Sequence, residues 1–273
     1  MSTLVRTTLL GEVETPRLGP APYLVDRDGA PYLPTATGGV VLGLRLGDGV
    51  FDTDADHAAP GVTLVHPDPA ACHALTAFAC LGNEAVVRTG DARGATGRVL
   101  GKREGRVIAV FPQDVLAQML PADQVAIRAH GQGATAGGAT AGGATAVMNV
   151  DPAVLAALDV RSARARVPSH LVGNGFGRPA HQWDLDVQVD RVDAAHWRLG
   201  DLLCIDDVDV RHNAGHRKGW LTMAVVVHAG SPLPGHGPGA MPILCGPAED
   251  FDVHVDPTGH VGVTPELLGC PDA

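Results

Sequence analysis

The sequence predicts an α+β fold that is mostly β, with barrel or sandwich-like sheets and a few short helices. Three observations carry that expectation. Apolar residues make up 45% of the chain and aromatics only 4%, so the core has to be packed from Val, Leu, Ala and Ile. Glycine (35) and proline (21) are abundant among the 273 residues, which favours short strands and tight turns over long helices. β-branched runs bounded by Gly or Asp recur along the chain.

In chain order, "GGVVLGLRLGDGVF" is the first such run. "DPAACHALTAFACLG" then reads as a helix, with Asp68 as N-cap, Pro69 at the first helical position, Ala71, Leu75 and Phe78 on one face, and Gly82 just past the end. "EAVVRTG", "GRVIAVF" and "QVAIRAHG" read as strands, and "PQDVLAQML" and "DPAVLAAL" as short helices. The repeat "GATAGGATAGGATA", Gly133 to Ala146, buries too little surface to offset its ordering entropy unless it packs tightly. It reads as a flexible or surface-hugging connection rather than a phosphate cradle, because no strand leads into it with Walker or Rossmann spacing. A boundary near Asp151 divides the chain into a mostly-β subdomain, 1–150, and a β-rich subdomain, 151–273, with a pocket expected at their junction.

After the boundary, "WDLDVQVDRV" alternates, placing Asp184, Asp186, Gln188 and Asp190 on one face and Leu185, Val187 and Val189 on the other. Carboxylates two residues apart along a strand stand roughly 6.5–7 Å apart. Like charges so placed need cations, raised pKa values or water, so the strand is either a solvated outer face, a metal or acid–base site, or a partner for Arg178 or Arg191. "LGDLLCIDDVDV" and "GWLTMAVVVH" supply two further strands. If the first lies beside the acid-rich strand, Asp207 and Asp209 join a carboxylate cluster whose oxygen ligands suit Mg²⁺, Mn²⁺ or Ca²⁺ better than zinc; otherwise they mark an ordinary turn. The second delivers His228 to the end of a buried strand, where the loop "AGSPLPGHGPG" begins. Its prolines limit freedom, and Gly235 and Gly237 let backbone amides approach a ligand, as in an anion or oxyanion site. His228 and His236 are candidate base and acid, or metal ligands, against the plainer reading of packing residues in a rigid loop.

In the first half, "TDADHAAPGVTL" offers Asp54, Asp56 and His57, and "CLGNEAVV" offers Asn83 with Glu84 as a buried base or a surface residue. No G-x-S-x-G elbow, H-E-x-x-H or Walker lysine is present, which removes the common serine-hydrolase, zinc-protease and P-loop classes. A net charge of −10 without any Lys/Arg cluster argues against nucleic acid. The five cysteines lack a C-x-x-C pair and read as reduced, mostly buried thiols. The N-terminal stretch has no signal-peptide core, and the longest apolar run, "WLTMAVVV", is too short to span a bilayer, so the expectation is a soluble cytoplasmic protein without membrane partners.

The ordered set "DHAAPGV", "CLGNEA", "GDARGATG", "GKREG", "HGQG", "NVDP", "WDLDVQ", "LGDLLCIDDVD", "VVVHAGS" and "GHGPG" resembles the uncharacterised prokaryotic family catalogued as domain of unknown function 4438, over roughly Pro34 to Gly246. The resemblance points to His57, Asn83, Glu84, Asp184, Asp186, Gln188, Asp207, Asp209, His228, Ser231 and His236 as motif positions. This chain departs from the family pattern at Asp56, where a second histidine is usual, and at "QWDLDVQ", where a "GDYDIQ"-like strand is usual.

The functional expectation is a small-molecule enzyme, of the kind found in specialised metabolism, with an Asp/His pocket for acid–base cleavage of a C–O or C–N bond. Asp184, Asp186, His228, His236 and Glu84 are its candidate catalytic groups, and His57, Asn83, Gln188, Ser231, Gly235 and Gly237 its candidate binding groups. The bond cleavage is hydrolysis, or an intramolecular displacement that closes a ring and expels an acid. No cofactor is required beyond an optional divalent ion, Mg²⁺ or Mn²⁺. The substrate is free or bound to a carrier protein, and the protein forms a homo- or hetero-oligomer. The alternative is a non-catalytic binding or partner subunit of an enzyme complex.

Overall fold

The computed structural model describes residues 5–19, 21, 23–35, 37–53, 55–132, 145–259 and 261–273. Asp54 and residues 133–144 of the small-residue repeat lie outside the described residues. The chain is mostly β, a closed six-stranded barrel joined to a half-barrel sheet.

The barrel uses β1 (Thr7–Val13), β2 (Gly61–Val65), β3 (Glu84–Val87), β4 (Thr96–Arg103), β5 (Arg106–Val110) and β6 (Gln124–Ala129). Their order is β1-β6-β3-β4-β5-β2, and β2 returns to pair with β1, so no edge is left open. Every neighbouring pair in it is antiparallel. The apolar run of β5 is continuous because both of its faces are buried. Val107 and Ala109 fill the barrel, whereas Ile108 and Val110 join the second core.

Helix α1 (Pro69–Phe78) covers one side of the barrel with Leu75, which is fully buried. The Asp68 carboxylate accepts the Ala71 N–H at 2.8 Å, as the cap position requires. Asp68→Ala is expected to lower stability by about 1 kcal/mol, read from urea denaturation, with an unchanged circular dichroism spectrum. Phe78, expected on the buried face, is 48% exposed. The helix ends there, and the chain instead buries Ala79 and Cys80 in extended backbone. Of "GGVVLGLRLGDGVF", only Val40–Val41 pairs in a sheet, since Gly43 and Gly47 adopt positive φ (+78° and +99°) and break the strand. Three short helices follow: α2 (Gln113–Leu116), α3 (Pro152–Ala157), capped by Asp151, and α4 (Pro265–Leu268).

The half-barrel uses β7 (Ala165–Val167), β8 (Val172–Asn174), β9 (Leu185–Val187), β10 (Leu202–Asp209), β11 (Gly215–His228) and β12 (Gly239–Pro247). Its order is β7-β10-β11-β12-β9-β8, parallel between β7 and β10 and antiparallel elsewhere, with Ala146–Val147 added to β12. The acid-rich strands β9 and β10 are therefore not neighbours. Two strands separate them, so the expected joint carboxylate cluster does not form.

Strand β4 packs across β11 and β12, and at Gly101 a Cβ would meet Val227 and crowd Met241. The missing side chain is what lets the two sheets approach. Leu100, Ile108 and Val110 from the barrel share one core with Val225, Val227, Met241 and Ile243. All five cysteines are free and four are buried. No helix among the described residues is long and apolar enough to cross a membrane.

Candidate functional site

The end of β11 delivers His228, as the apolar run leading into it implies, and the loop from Ala229 to Pro238 carries the chain over to β12. That loop is fastened at both ends. Ala229 N–H donates to the Ala58 carbonyl at 2.7 Å and Gly230 N–H to Val50 at 2.8 Å, while the Pro238 carbonyl accepts Val187 N–H at 3.0 Å. The first of these bonds draws the segment around His57 from the barrel half onto the loop. His57 has a positive φ (+53°), uncommon for a residue with a side chain and associated with functional sites.

Three histidines and three aspartates meet at this junction. Asp186 is central. Its Oδ2 lies 2.8 Å from His236 Nδ1 and 3.8 Å from His57 Nε2, and its Oδ1 lies 3.3 Å from His228 Nε2. His228 Nε2 is also 2.8 Å from Asp184 Oδ2, while its Nδ1 is 2.8 Å from the Ala229 carbonyl. His57 Nε2 and His236 Nδ1 stand 2.9 Å apart, and His57 Nδ1 is 2.6 Å from Asp56 Oδ1. Asp56 in turn accepts Ser231 Oγ at 2.6 Å and the Tyr32 hydroxyl at 3.2 Å. Asn174 Nδ2 donates to Asp186 at 3.3 Å, and Glu104 N–H donates to Asp184 at 3.3 Å. The buried Arg103 donates to the His57 carbonyl, which ties the end of β4 to the same centre.

Asp56, Asp184, Asp186 and His228 are buried; His236 is the opening, its side chain 22% exposed. Burial works against the Asp186 anion, but contacts from His228, His236 and His57 outweigh it and hold the carboxyl far below the usual carboxylate range. For His228, burial opposes the charge, yet the hydrogen bonds to Asp184 and Asp186 lift it to about 10. Asp186 and Asp56 likewise raise His57 against the pull of burial, and His57, Ser231 and Tyr32 keep Asp56 low. Burial and the neighbouring Asp56 carboxylate push the Tyr32 phenol up.

Two cavities flank the cluster. One of about 660 Å³ is lined by Tyr32, Phe51, Val189, Arg191 and Ser231 among others, so it touches the two hydroxyl partners of Asp56. The other, about 470 Å³, is lined by Gln188, Pro234 and Gly235 among others. Arg27, Val189 and Asp190 line both.

Of the expected residues, Asp184, Asp186, His228, His236, His57 and Ser231 come together here. Gln188 and Gly235 sit on the second cavity. Gly237 has a packing role, since a Cβ there would run into the Val187 carbonyl. The loop's amides do not form the expected anion cradle at Ala229, Gly230, Leu233 or His236, because each donates within the fold. Asn83 caps the chain turn after α1, accepting Cys80 N–H at 2.8 Å and donating to the His130 carbonyl at 2.8 Å. Glu84 opens β3 opposite Arg98 and contributes no atom to the cluster. Asp207 and Asp209 are placed in the β10–β11 hairpin. Asp209 is paired with Arg211 and Arg217, each at 2.9 Å, and Asp207 accepts Gly219 N–H at 2.7 Å, so both have partners other than an ion. Tyr32, Asn174 and Arg103 were not legible as site residues; no local motif surrounds them, and only the fold brings them near Asp56, Asp186 and His57.

The N-terminal model of the domain of unknown function DUF4438 matches residues 23–156, and the C-terminal model matches residues 156–263. No curated protein matches the chain. Among solved structures, the chain is similar to the crystal structure of TM1086, at 28% sequence identity and a TM-score of 0.87, with 95% of each chain covered.

Proposed function

The chain belongs to the DUF4438 family, and on that premise we propose that it is a small-molecule enzyme whose His/Asp cluster cleaves a C–O or C–N bond by acid–base chemistry. The observation that carries this reading is the convergence of His57, His236 and His228 on one buried carboxylate, Asp186, beside two cavities. A site that moves protons needs titratable groups within hydrogen-bond reach of one another and of the substrate. In this reading, His57, oriented by Asp56, and the half-open His236 exchange protons with the substrate, while Asp184 and His228 hold Asp186 in place. Ser231 and Tyr32 stand where a substrate in the larger cavity meets Asp56. The reaction is hydrolysis, or displacement within the substrate that closes a ring and releases an acid, on a molecule that is free or held by a carrier protein.

The test is acid release, followed by mass spectrometry, from a panel of carboxylic, sulfate and phosphate esters and of amides, with and without an internal amine. His236→Ala is expected to lower turnover about 10²- to 10⁴-fold with an unchanged melting temperature. Turnover that survives His236→Ala and His57→Ala overturns the acid–base assignment. No turnover anywhere in the panel favours the reading of a non-catalytic subunit.

A further inference from the structure

His57 Nε2 and His236 Nδ1 face each other at 2.9 Å, and Asp186 Oδ2 completes a triangle with sides of 2.8 and 3.8 Å. Two imidazole nitrogens that close repel if both present lone pairs and repel if both present protons, so one positive centre has to sit between them: a shared proton or a cation. The third donor decides between the two. A proton on one of the three atoms can be shared by the other two, but it leaves the 3.8 Å side between His57 and Asp186 unbonded, whereas an ion inside the triangle engages all three donors. Donors about 2.0–2.2 Å from one ion and at right angles to each other stand about 3 Å apart, close to the two short sides, and the longer side corresponds to a wider angle. The outer shell agrees. Histidine ligands characteristically give their far ring N–H to a carboxylate, and His57 Nδ1 lies 2.6 Å from Asp56 Oδ1, which leaves Nε2 as the inward donor. Asp186 is oriented in the same way, since His228 and Asn174 contact its carboxylate and aim Oδ2 at the two histidines. His236, with its side chain 22% exposed, is the least buried of the three donors, so a free coordination position would lie on its side of the triangle.

We propose that His57, His236 and Asp186 form a binding site for a single divalent transition-metal ion, with Asp56, His228 and Asp184 as the groups that orient its ligands. Two imidazoles and one carboxylate select zinc, iron, cobalt or manganese over magnesium, because imidazole nitrogen is a poor ligand for a hard, oxygen-seeking ion. This differs from the ion expected of Asp207 and Asp209, which are engaged elsewhere. The inference rests on the proposed function only in taking this cluster as the working centre. With an ion bound, both ring nitrogens of His57 would be engaged, so His57 would serve as a ligand rather than as a proton carrier, and the ion would supply the positive charge facing the substrate.

The test uses the full-length protein stripped with a chelator and titrated with Zn²⁺ by calorimetry and with Co²⁺ by visible absorption. One ion per chain, a Co²⁺ d–d spectrum that saturates at one equivalent and a rise in melting temperature with added Zn²⁺ are the expected results. His57→Ala and His236→Ala are each expected to weaken binding at least 100-fold. Asp56→Asn is expected to weaken it about 10- to 100-fold while leaving the Co²⁺ spectrum similar in shape. Asp209→Asn, at the far hairpin, should bind as the wild type does. Absence of stoichiometric binding overturns the proposal, as does binding that both histidine variants retain or that is as tight for Mg²⁺ as for Zn²⁺. Because binding is read without substrate, the two inferences separate: full turnover by protein that binds no ion removes the ion alone, and an ion bound without any turnover removes the reaction alone.

Discussion

Asp186→Asn is expected to lower turnover about 10²- to 10⁴-fold while the protein still folds. The substitution keeps the shape of the side chain, which is 5% exposed, and removes only the charge. The charge is what the three surrounding histidines share. Placing an amide NH₂ at the Oδ2 position sets a donor against His236 Nδ1 and Asn174 Nδ2, which stand 2.8 and 3.3 Å from that atom. The amide in the opposite orientation sets the donor against His228 Nε2 instead, at 3.3 Å. Neither orientation satisfies all four neighbours. Asp209→Asn is the control, since its ion pairs with Arg211 and Arg217 lie outside the cluster, so its loss would change stability without touching turnover. Melting curves and acid-release assays on both variants check the expectation. Asp186→Asn turnover within about threefold of wild type would remove Asp186 from the centre of the site.

Lys102→Met is expected to flatten the pH dependence of stability in mildly alkaline solution. Lys102 is fully buried at the end of β4, its ammonium donating to Asn149 Oδ1 and to the His181 carbonyl, each at 2.8 Å. Burial lowers its pKa from 10.5 to about 7, with a smaller opposing effect from Cys80. The unfolded chain therefore holds this proton over a range in which the folded chain has released it. Stability contributed by this group rises with pH from about 7 upward, and below that the full cost of a buried charge is present. Each tenfold loss of proton affinity corresponds to about 1.4 kcal/mol, so that cost amounts to several kcal/mol. Methionine has similar length and no charge, so the slope should vanish. Two acceptors lose their donor, at about 1–3 kcal/mol each, although Asn149 Oδ1 retains Gln132 Nε2 at 3.3 Å. The slope is thus more diagnostic than the absolute stability. Urea denaturation of both proteins at intervals between about pH 7 and 8.5 measures it as the difference between the two slopes, the onset of thiol titration in the unfolded chain being common to both. Parallel curves would show that Lys102 keeps its proton in the folded state.

Local sequence was a good guide wherever one face or one cap settled the outcome. The Asp-Pro openings of α1 and α3 both form, because a carboxylate accepting the N–H two or three residues on is a property of adjacent residues. The runs leading to Val87, Val110 and Ala129 are strands as their β-branched content implies. Strands β1, β2, β4 and β12 were not anticipated. Thr96–Arg103 carries two glycines and three cationic residues, and Gly239–Pro247 carries two glycines and two prolines; both look like turns until their partners are present. In β12 the pairing is supplied by β11 on one side and by β9 on the other. Conversely, "WDLDVQVDRV" forms only a three-residue strand, since Asp190 turns the chain by accepting the Val192 and Asp193 amides, each at 2.8 Å.

For the site, the sequence by itself determined the chemistry available: a short-spaced pair of aspartates, a histidine ending an apolar strand and another in a Gly/Pro loop, all in family motifs. Which of these work together was decided by the tertiary structure. The order of the half-barrel places β11 and β12 between the two acid-rich strands, leaving Asp209 to its arginines and Asp186 to the histidines. Main-chain bonds from Ala229 N–H to Ala58 and from His57 N–H to Gly230 carry His57 across 171 positions of sequence to His228, with their rings 5.2 Å apart. No local preference encodes that contact. It follows from closing the barrel and packing its fourth strand on the second sheet, so the site exists only once the long-range pairings are made.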